Sequence, residues 1–280
     1  MNAIAQDAGS ARLLAAGDPP PFSIERPDAA SEFLLVCDHA AARLPQAMGA
    51  LGLSVTQLES HIGWDIGAAG VARGLAERLD ATLLLQNYSR LVIDCNRPLH
   101  ADDSIATHSE WVRVDGNAQL DDAQIAARTD EVFTPYHEAL SGLLDERHRA
   151  GRATVLLALH SFTPVYRGES RPWHIGVMYG RDAALGQAIL RLLGRDERLV
   201  VGDNEPYALD EQVDYTLPTH GQGRGIPHVG LEIRQDLIAD AGGQKNWAGR
   251  LASLLRQAAA SDPHGAPRVP TAAARAGAAC

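Results

Sequence analysis

The chain is short of several residue types, and each shortage removes a class of function. Cysteine occurs only at Cys37, Cys95 and Cys280 among 280 residues, with no CxxC pair. That excludes a disulfide framework and a thiolate zinc finger. Lys and Arg together number 25 against 35 Asp and Glu, for a net charge of −10. No basic run offers a footprint for nucleic acid, which is excluded as the main partner. No stretch approaches the roughly 18 apolar residues that span a bilayer. The first twenty residues lack a basic start followed by an apolar core, so no secretory signal is read and a cytoplasmic location is expected. GxSxG is missing, leaving a serine hydrolase only the unsupported Ser161.

What is present is an ordinary globular composition, 45% hydrophobic and 21% charged. Residues 1–22, ending near "GDPPPF", read as a disordered arm. The Ala- and Pro-rich residues 261–280 read as a disordered tail. A single domain is expected over 23–260. Within it, apolar runs predict strands at 33–37, 82–86, 90–94, 154–159, 174–179 and 229–233. Helical patterns cover 64–79, 121–149, 182–194 and 245–259. This alternation predicts an α/β fold with a mostly parallel sheet covered on both faces. In such sheets ligands collect beyond the carboxyl ends of the strands.

Ionisable groups stand at those ends. "FLLVC" gives way to Asp38 and His39, "ATVLLALHSF" closes with His160 and Ser161, and "RLVIDCNRP" carries Asp94, Asn96 and Arg97. Glu232 interrupts the last strand, "PHVGLEIRQD". Val229, Leu231 and Ile233 should face one way, with Glu232 sharing the other side with Gly230 and Arg234. "HIGWDIGA" adds His61 and Asp65. Two imidazoles with one carboxylate make the ligand set of a catalytic zinc ion, which keeps a fourth position for water. His39 and His160 are the imidazole candidates. Asp65 is the carboxylate candidate with Asp38 as competitor, and Asp65 is equally a helix N-cap by residue type. Glu232 is the candidate base.

Asn96 and Arg97 present a guanidinium fork with an amide beside it, suited to a substrate carboxylate. Arg90 lies in the same stretch. "HGQGRGIPH" (220–228) precedes a strand, the reverse of a phosphate loop. It reads as a lid bringing His220 and Arg224 to a substrate, or as a plain connector. Cys37 and Cys95 read as core residues. His137 and His148 read as members of a solvated helix face.

The stretches "VCDHAAARLP", "HIGWDIGA", "YSRLVIDCNRP", "LHSFTP", "NEPY" and "DYTLPTHGQGRGIPHVGLEIRQDLI", in this order over roughly residues 30–260, resemble the N-formylglutamate amidohydrolase family. The resemblance implies a three-layer α/β/α sandwich with a mixed, mainly parallel sheet, similar to zinc carboxypeptidases and aspartoacylases. It implies one zinc ion on His39 and His160, Glu232 as general base, and Asn96 with Arg97 as the carboxylate grip. The carboxypeptidase HxxE spacing is absent, because Ala42 stands three residues after His39. "CDHA" also replaces the Pro-His-Ser-Gly usual in the deformylase, which marks a subgroup. The expected substrate is a small anionic N-acyl amino acid, N-formyl-L-glutamate first, giving formate and glutamate in histidine breakdown. Alternatives are a zinc hydrolase of another N-acyl amino acid or peptide, and a non-catalytic carboxylate-binding protein.

Overall fold

In the computed structural model, which describes residues 12–261, the apolar runs join in one seven-stranded sheet. In chain order the strands are β1 (Phe22–Glu25), β2 (Phe33–Cys37), β3 (Thr82–Gln86), the short pair β4 (His108–Ser109) and β5 (Val112–Arg113), and β6 (Val155–Phe162). There follow a second short pair, β7 (Val165–Tyr166) and β8 (Glu169–Ser170), then β9 (Ile175–Met178), β10 (Val201–Asp203) and β11 (His228–Arg234). The α-helices are α1 (Val55–Leu58), α2 (Ala68–Leu79), α3 (Asp122–Arg128), α4 (Thr134–Arg149), α5 (Ala184–Leu193) and α6 (Ala241–Ser261).

The sheet order is β1-β3-β2-β6-β11-β9-β10. Strands β3, β2, β6 and β11 run parallel, β1 pairs antiparallel with β3, and β9, with β10 parallel to it, pairs antiparallel with β11. The expected mixed, mainly parallel sheet between two helical layers is therefore present. Alternation along each strand sorts the side chains. Phe33, Leu35, Leu157, Leu159, Val229, Leu231 and Ile233 pack with residues of α2, α5 and α6. Leu34, Val36, Leu156 and Ala158 turn the other way, onto Tyr136, Leu140 and Leu144 of α4. Burying each such Leu contributes roughly 1.5–3 kcal/mol, enough in sum to fix the register. By the same parity His160 and Glu232 fall on the α4 side of the sheet. They are direct register partners on adjacent strands.

Three elements differ from expectation. Residues 90–94 form a turn followed by irregular chain, not a strand, although Leu91, Val92 and Ile93 are buried. The sheet edge beside β3 is taken by β1, and the segment folds on itself through Val92 N–H to Ser89 O and Arg97 N–H to Asp94 O. The helix expected over 121–149 is interrupted by a π turn at Thr129–Phe133, just ahead of Pro135, whose ring nitrogen has no proton for the α-helical bond. Helix α2 starts at Ala68, not residue 64. Gly67 ahead of it has φ of 80°, and a Cβ there would meet the Ile238 carbonyl at 2.1 Å.

The arm expected over residues 1–22 is only partly described. Residues 12–22 touch the domain at points: Leu13 is buried, its N–H donates to Glu131, and Tyr88 Oη donates to the Pro19 carbonyl. Residues 1–11 and, apart from Ser261, the tail at 261–280 lie outside the described residues. Among those described, no helix is long and apolar enough to cross a membrane.

Candidate metal centre and cleft

Adjacent strands β2, β6 and β11 end on the same edge of the sheet. His39 follows β2 at its carboxyl end, and His160 lies near the end of β6. Asp65 precedes α2 and is held by its own N–H, which donates to the His39 carbonyl at 3.0 Å. One ligand atom from each of His39, Asp65 and His160 lies within 4.8 Å of the others, and all three residues are buried. The helix-cap reading of Asp65 is overturned, because the N-cap of α2 is Gly67 and no side chain caps it. Asp65 Oδ2 instead lies 2.9 Å from His160 Nδ1 and 3.4 Å from His39 Nδ1, and accepts from Ser161 N–H at 3.2 Å. Ser161 Oγ donates to the Ile66 carbonyl, so it is a brace with no base to activate it.

Both rings turn Nδ1 inward and Nε2 outward to a further carboxylate. His39 Nε2 is 2.8 Å from Asp94 Oδ1, and His160 Nε2 is 3.4 Å from Asp38 Oδ2. Asp38, the competing ligand, lies outside the group. Its Oδ1 accepts from Tyr136 Oη at 2.7 Å and Thr216 Oγ1 at 3.0 Å. A carboxylate behind each imidazole fixes ring orientation and raises basicity, as the outer support of a metal site does. Two imidazoles and a carboxylate thus converge with supported outer nitrogens, and this donor set fits a divalent ion.

Electrostatics follow from burial opposed by these neighbours. Burial disfavours charge on His160, but hydrogen bonds to Asp38 and Asp65 outweigh it and hold its pKa well above the ordinary value. Burial and Arg90 oppose charge on His39, and Asp94 with Asp65 overcome them to raise its pKa. Asp94 is held well below the carboxylate range, because Arg90 and His39 outweigh its burial. Glu232 goes the other way: burial pushes its pKa to about 7, with the His160 charge partly opposing. Its Oε2 is buried without a hydrogen-bond partner. The expected facing of Glu232 holds, since Val229, Leu231 and Ile233 all enter the opposite core. Gly230 opens no ligand space, because a Cβ there would touch Met178 and Leu217.

These groups line a cleft of about 590 Å³ that also includes Arg90, Asn96, Arg97, Tyr166, Arg167 and Tyr207. Arg90 donates to Asp94 Oδ2 at 2.6 Å, and its Nη1 lies 3.8 Å from Asp65 Oδ1. Asn96 is committed elsewhere: its amide donates to Asp214 and its Oδ1 accepts the N–H groups of Tyr215 and Thr216. Arg97 Nε donates to Asp103, whose side chain is 60% exposed, and Nη1 lies 3.4 Å from Asp214. A pair this exposed is worth under about 1 kcal/mol and yields readily to a ligand.

Two expected substrate contacts are not in the cleft lining. Arg224 donates to Asp145 and to Ser141 on the outer face of α4. His220 is buried, stacked on His137 with ring centres 5.2 Å apart and planes 10° apart. The stretch expected as a lid is two short helical turns, Leu217–Gly221 and Gln222–Arg224. His137 is likewise buried and not solvated, because the π turn and α4 direct it inward against Phe133 and Tyr215. His148 is exposed as expected. Cys37 and Cys95 are buried free thiols whose pKa burial pushes well up, which keeps them protonated and inert.

Asp94, Asp214, Tyr136, Thr216 and Tyr207 emerge as site residues from the structure. Tyr207 arrives on a loop lying flat on β9 and β10, where Gly176 and Gly202 admit the Glu205 carbonyl to within 2.0 and 2.3 Å of a Cβ position. Residue type marked Asp94 and "NEPY" in the sequence, but no spacing linked Asp94 to His39, 55 residues earlier.

A family model described as N-formylglutamate amidohydrolase matches residues 31–239. No curated protein matches by sequence. Among solved structures, the chain is similar to gene product Atu2144 of Agrobacterium tumefaciens, at 41% identity over 89% of this chain and 99% of that one, with a TM-score of 0.87. It is also similar in fold to an N-formylglutamate amidohydrolase of Ralstonia eutropha JMP134, at 21% identity over 86% of this chain and 97% of that one, with a TM-score of 0.62.

Proposed function

We propose, from the premise that this chain belongs to the N-formylglutamate amidohydrolase family and so hydrolyses a linear amide C–N bond, that it is a zinc-dependent hydrolase of N-acyl amino acids. N-formyl-L-glutamate is the leading substrate. The observation that carries the reading is the convergence of His39, Asp65 and His160, with the unpartnered Glu232 carboxylate on the strand beside His160.

In this reading His39 and His160 through Nδ1, with Asp65, would hold the ion. Bound there, zinc would act as a Lewis acid toward the acyl carbonyl and lower the pKa of water. Glu232 Oε2, left without a partner by the fold, takes a proton from the attacking water as its oxygen joins the acyl carbon. The same carboxyl returns that proton to the amide nitrogen as the C–N bond breaks, so formate and a free amino acid result. Arg90, pinned by Asp94 beside Asp65, is placed to donate to the oxygen that becomes negative. A donor of this kind contributes on the order of 10²–10³ in rate. Arg97 exchanges its exposed Asp103 partner for the substrate's α-carboxylate, while Asn96 fixes the backbone that carries it.

The cleft volume favours a second reading of the acyl group. A ligand of about a dozen non-hydrogen atoms fills only part of about 590 Å³, so longer acyl chains also fit. The test is formate release from N-formyl-L-glutamate, beside a panel of N-acetyl and longer N-acyl glutamates. Turnover that stops on chelation and returns with zinc is expected. Turnover indifferent to chelation, or none across the panel, defeats the reading.

A further inference from the structure

We propose that Arg167 and Arg171, gathered about Tyr166, form with Tyr207 a second anion subsite of the cleft that receives the side-chain carboxylate of the substrate; this rests on the hydrolase reading above. The Arg171 guanidinium lies 4.5 Å from the Tyr166 ring centre, 4.9 Å from that of Tyr207 and 6.0 Å from that of Phe162. The Arg167 guanidinium lies 5.3 Å from the same Tyr166 ring and 6.0 Å from Trp111. Two cations therefore share one aromatic ring.

Arg167 lines the cleft, and Arg171 stands behind it against Tyr166 and Tyr207, which do; their partners set both apart from Arg90 and Arg97. Arg90 is matched by Asp94 and Asp65, and Arg97 by Asp103 and Asp214. Among the described residues, no carboxylate lies within ion-pair distance of the Arg167 or Arg171 guanidinium, which meet only aromatic rings and the Tyr207 hydroxyl. Like charges gathered without a counter-ion repel, and a bound anion removes that cost. Aromatic faces hold the guanidinium planes without neutralising them.

Tyr207 supplies a further donor. Arg171 Nη1 donates to Tyr207 Oη at 2.9 Å, so the phenol oxygen acts as acceptor and its own proton is left for a ligand. Tyr166, Arg167 and Tyr207 all line the cleft that contains Glu232 and the His–Asp–His group. The β7–β8 hairpin that carries Arg167 is also tied in place. Arg167 N–H donates to Glu110 Oε1 at 3.0 Å, and Glu110 Oε2 lies 3.0 Å from His61 Nε2. Glu110 and Arg167 both sit in left-handed turns, with φ of 49° and 51°, which bring the two hairpins together over the cleft.

A subsite made of donors accepts a carboxylate through the guanidinium fork. It rejects the isosteric carboxamide, whose NH₂ would face N–H and O–H donors. The subsite thus selects an acidic side chain and leaves the acyl group to the other end of the cleft.

The experiment compares wild type, Arg167→Gln and Arg171→Gln as full-length chains, with folding checked by thermal melting. The ratio of kcat/KM for N-formyl-L-glutamate over N-formyl-L-glutamine is read, together with calorimetric titration of glutarate. A wild-type ratio well above one that falls tenfold or more in each variant, through KM for glutamate, is the expected result. An unchanged ratio overturns the subsite. Should wild type release formate from neither compound, the substrate assignment fails separately and glutarate decides the subsite. Binding weakened tenfold or more in the variants then supports it, and equal or absent binding in all three proteins overturns it.

Discussion

Two pairs of histidines lie buried in this molecule at nearly the same ring separation, 5.1 Å for His39 with His160 and 5.2 Å for His137 with His220. Their surroundings are opposite. Asp38, Asp65 and Asp94 enclose the first pair, and its members are raised in pKa. Aromatic rings of Phe133, Tyr136 and Tyr215 surround the second. Burial lowers His137 to about 4, with Asp38 and the Cys95 carbonyl only partly opposing. Burial, His137 and Arg224 lower His220 to about 3. His137 Nε2 donates to the Cys95 carbonyl at 2.8 Å, so its Nδ1 is left to accept from His220 Nε2 at 3.1 Å. That pairing requires His137 to be neutral, and burial keeps His220 neutral beside it. Proximity of two imidazoles therefore does not supply a donor set that could hold a metal ion; the carboxylates around the first pair complete one.

The comparison can be sharpened by removing its parts in turn. Glu232→Gln, which touches the first region's chemistry and none of its ligands, should lower kcat by about 10²–10⁴ while bound metal stays at the wild-type level. Loss of metal in this variant would assign Glu232 to the ligand set instead. Asp94→Asn removes one outer carboxylate and should weaken zinc affinity by about 10–100-fold in competition with a chromophoric chelator. Affinity equal to wild type would show that His39 needs no such support.

The smallest effect concerns the second pair and is read in stability. Folded pKa values of about 4 and about 3 lie below the unfolded histidine value near 6.5. The neutral rings thus contribute stability that is complete above about pH 6.5 and is lost as pH falls from there toward 4 and 3. Between about pH 6 and 4.5 each ring should add a slope of about 1.4 kcal/mol per pH unit. Denaturant unfolding of His137→Gln should lose about one such increment of slope. A slope identical to wild type would mean that this pair is already charged in the folded protein.

The sequence exposed the parts of this account that depend on local pattern. Continuous apolar runs located β2, β3, β6, β9 and β11, and residue parity alone placed Glu232 opposite Leu231. His39 and His160 were visible because a charged or polar group closes each apolar run. Parts that depend on long-range packing were hidden. The buried run at 90–94 looks like a strand until β1 is seen to occupy the edge it would need. His220 and Arg224 looked accessible on a glycine-rich segment, yet α4 covers the first and Asp145 holds the second. Asp94 could not be linked to His39 by spacing, and the approach of Trp111 to Arg167 and of Tyr207 to Arg171 joins segments far apart in the chain.

Metal content of the purified protein bears most directly on the claim that carboxylate neighbours, and not histidine proximity, build the site. Zinc stoichiometry should be measured for wild type, His160→Ala and His220→Ala. About one equivalent in wild type and in His220→Ala, with none in His160→Ala, is the predicted result. No bound zinc in wild type, or equal loss in both variants, would contradict it.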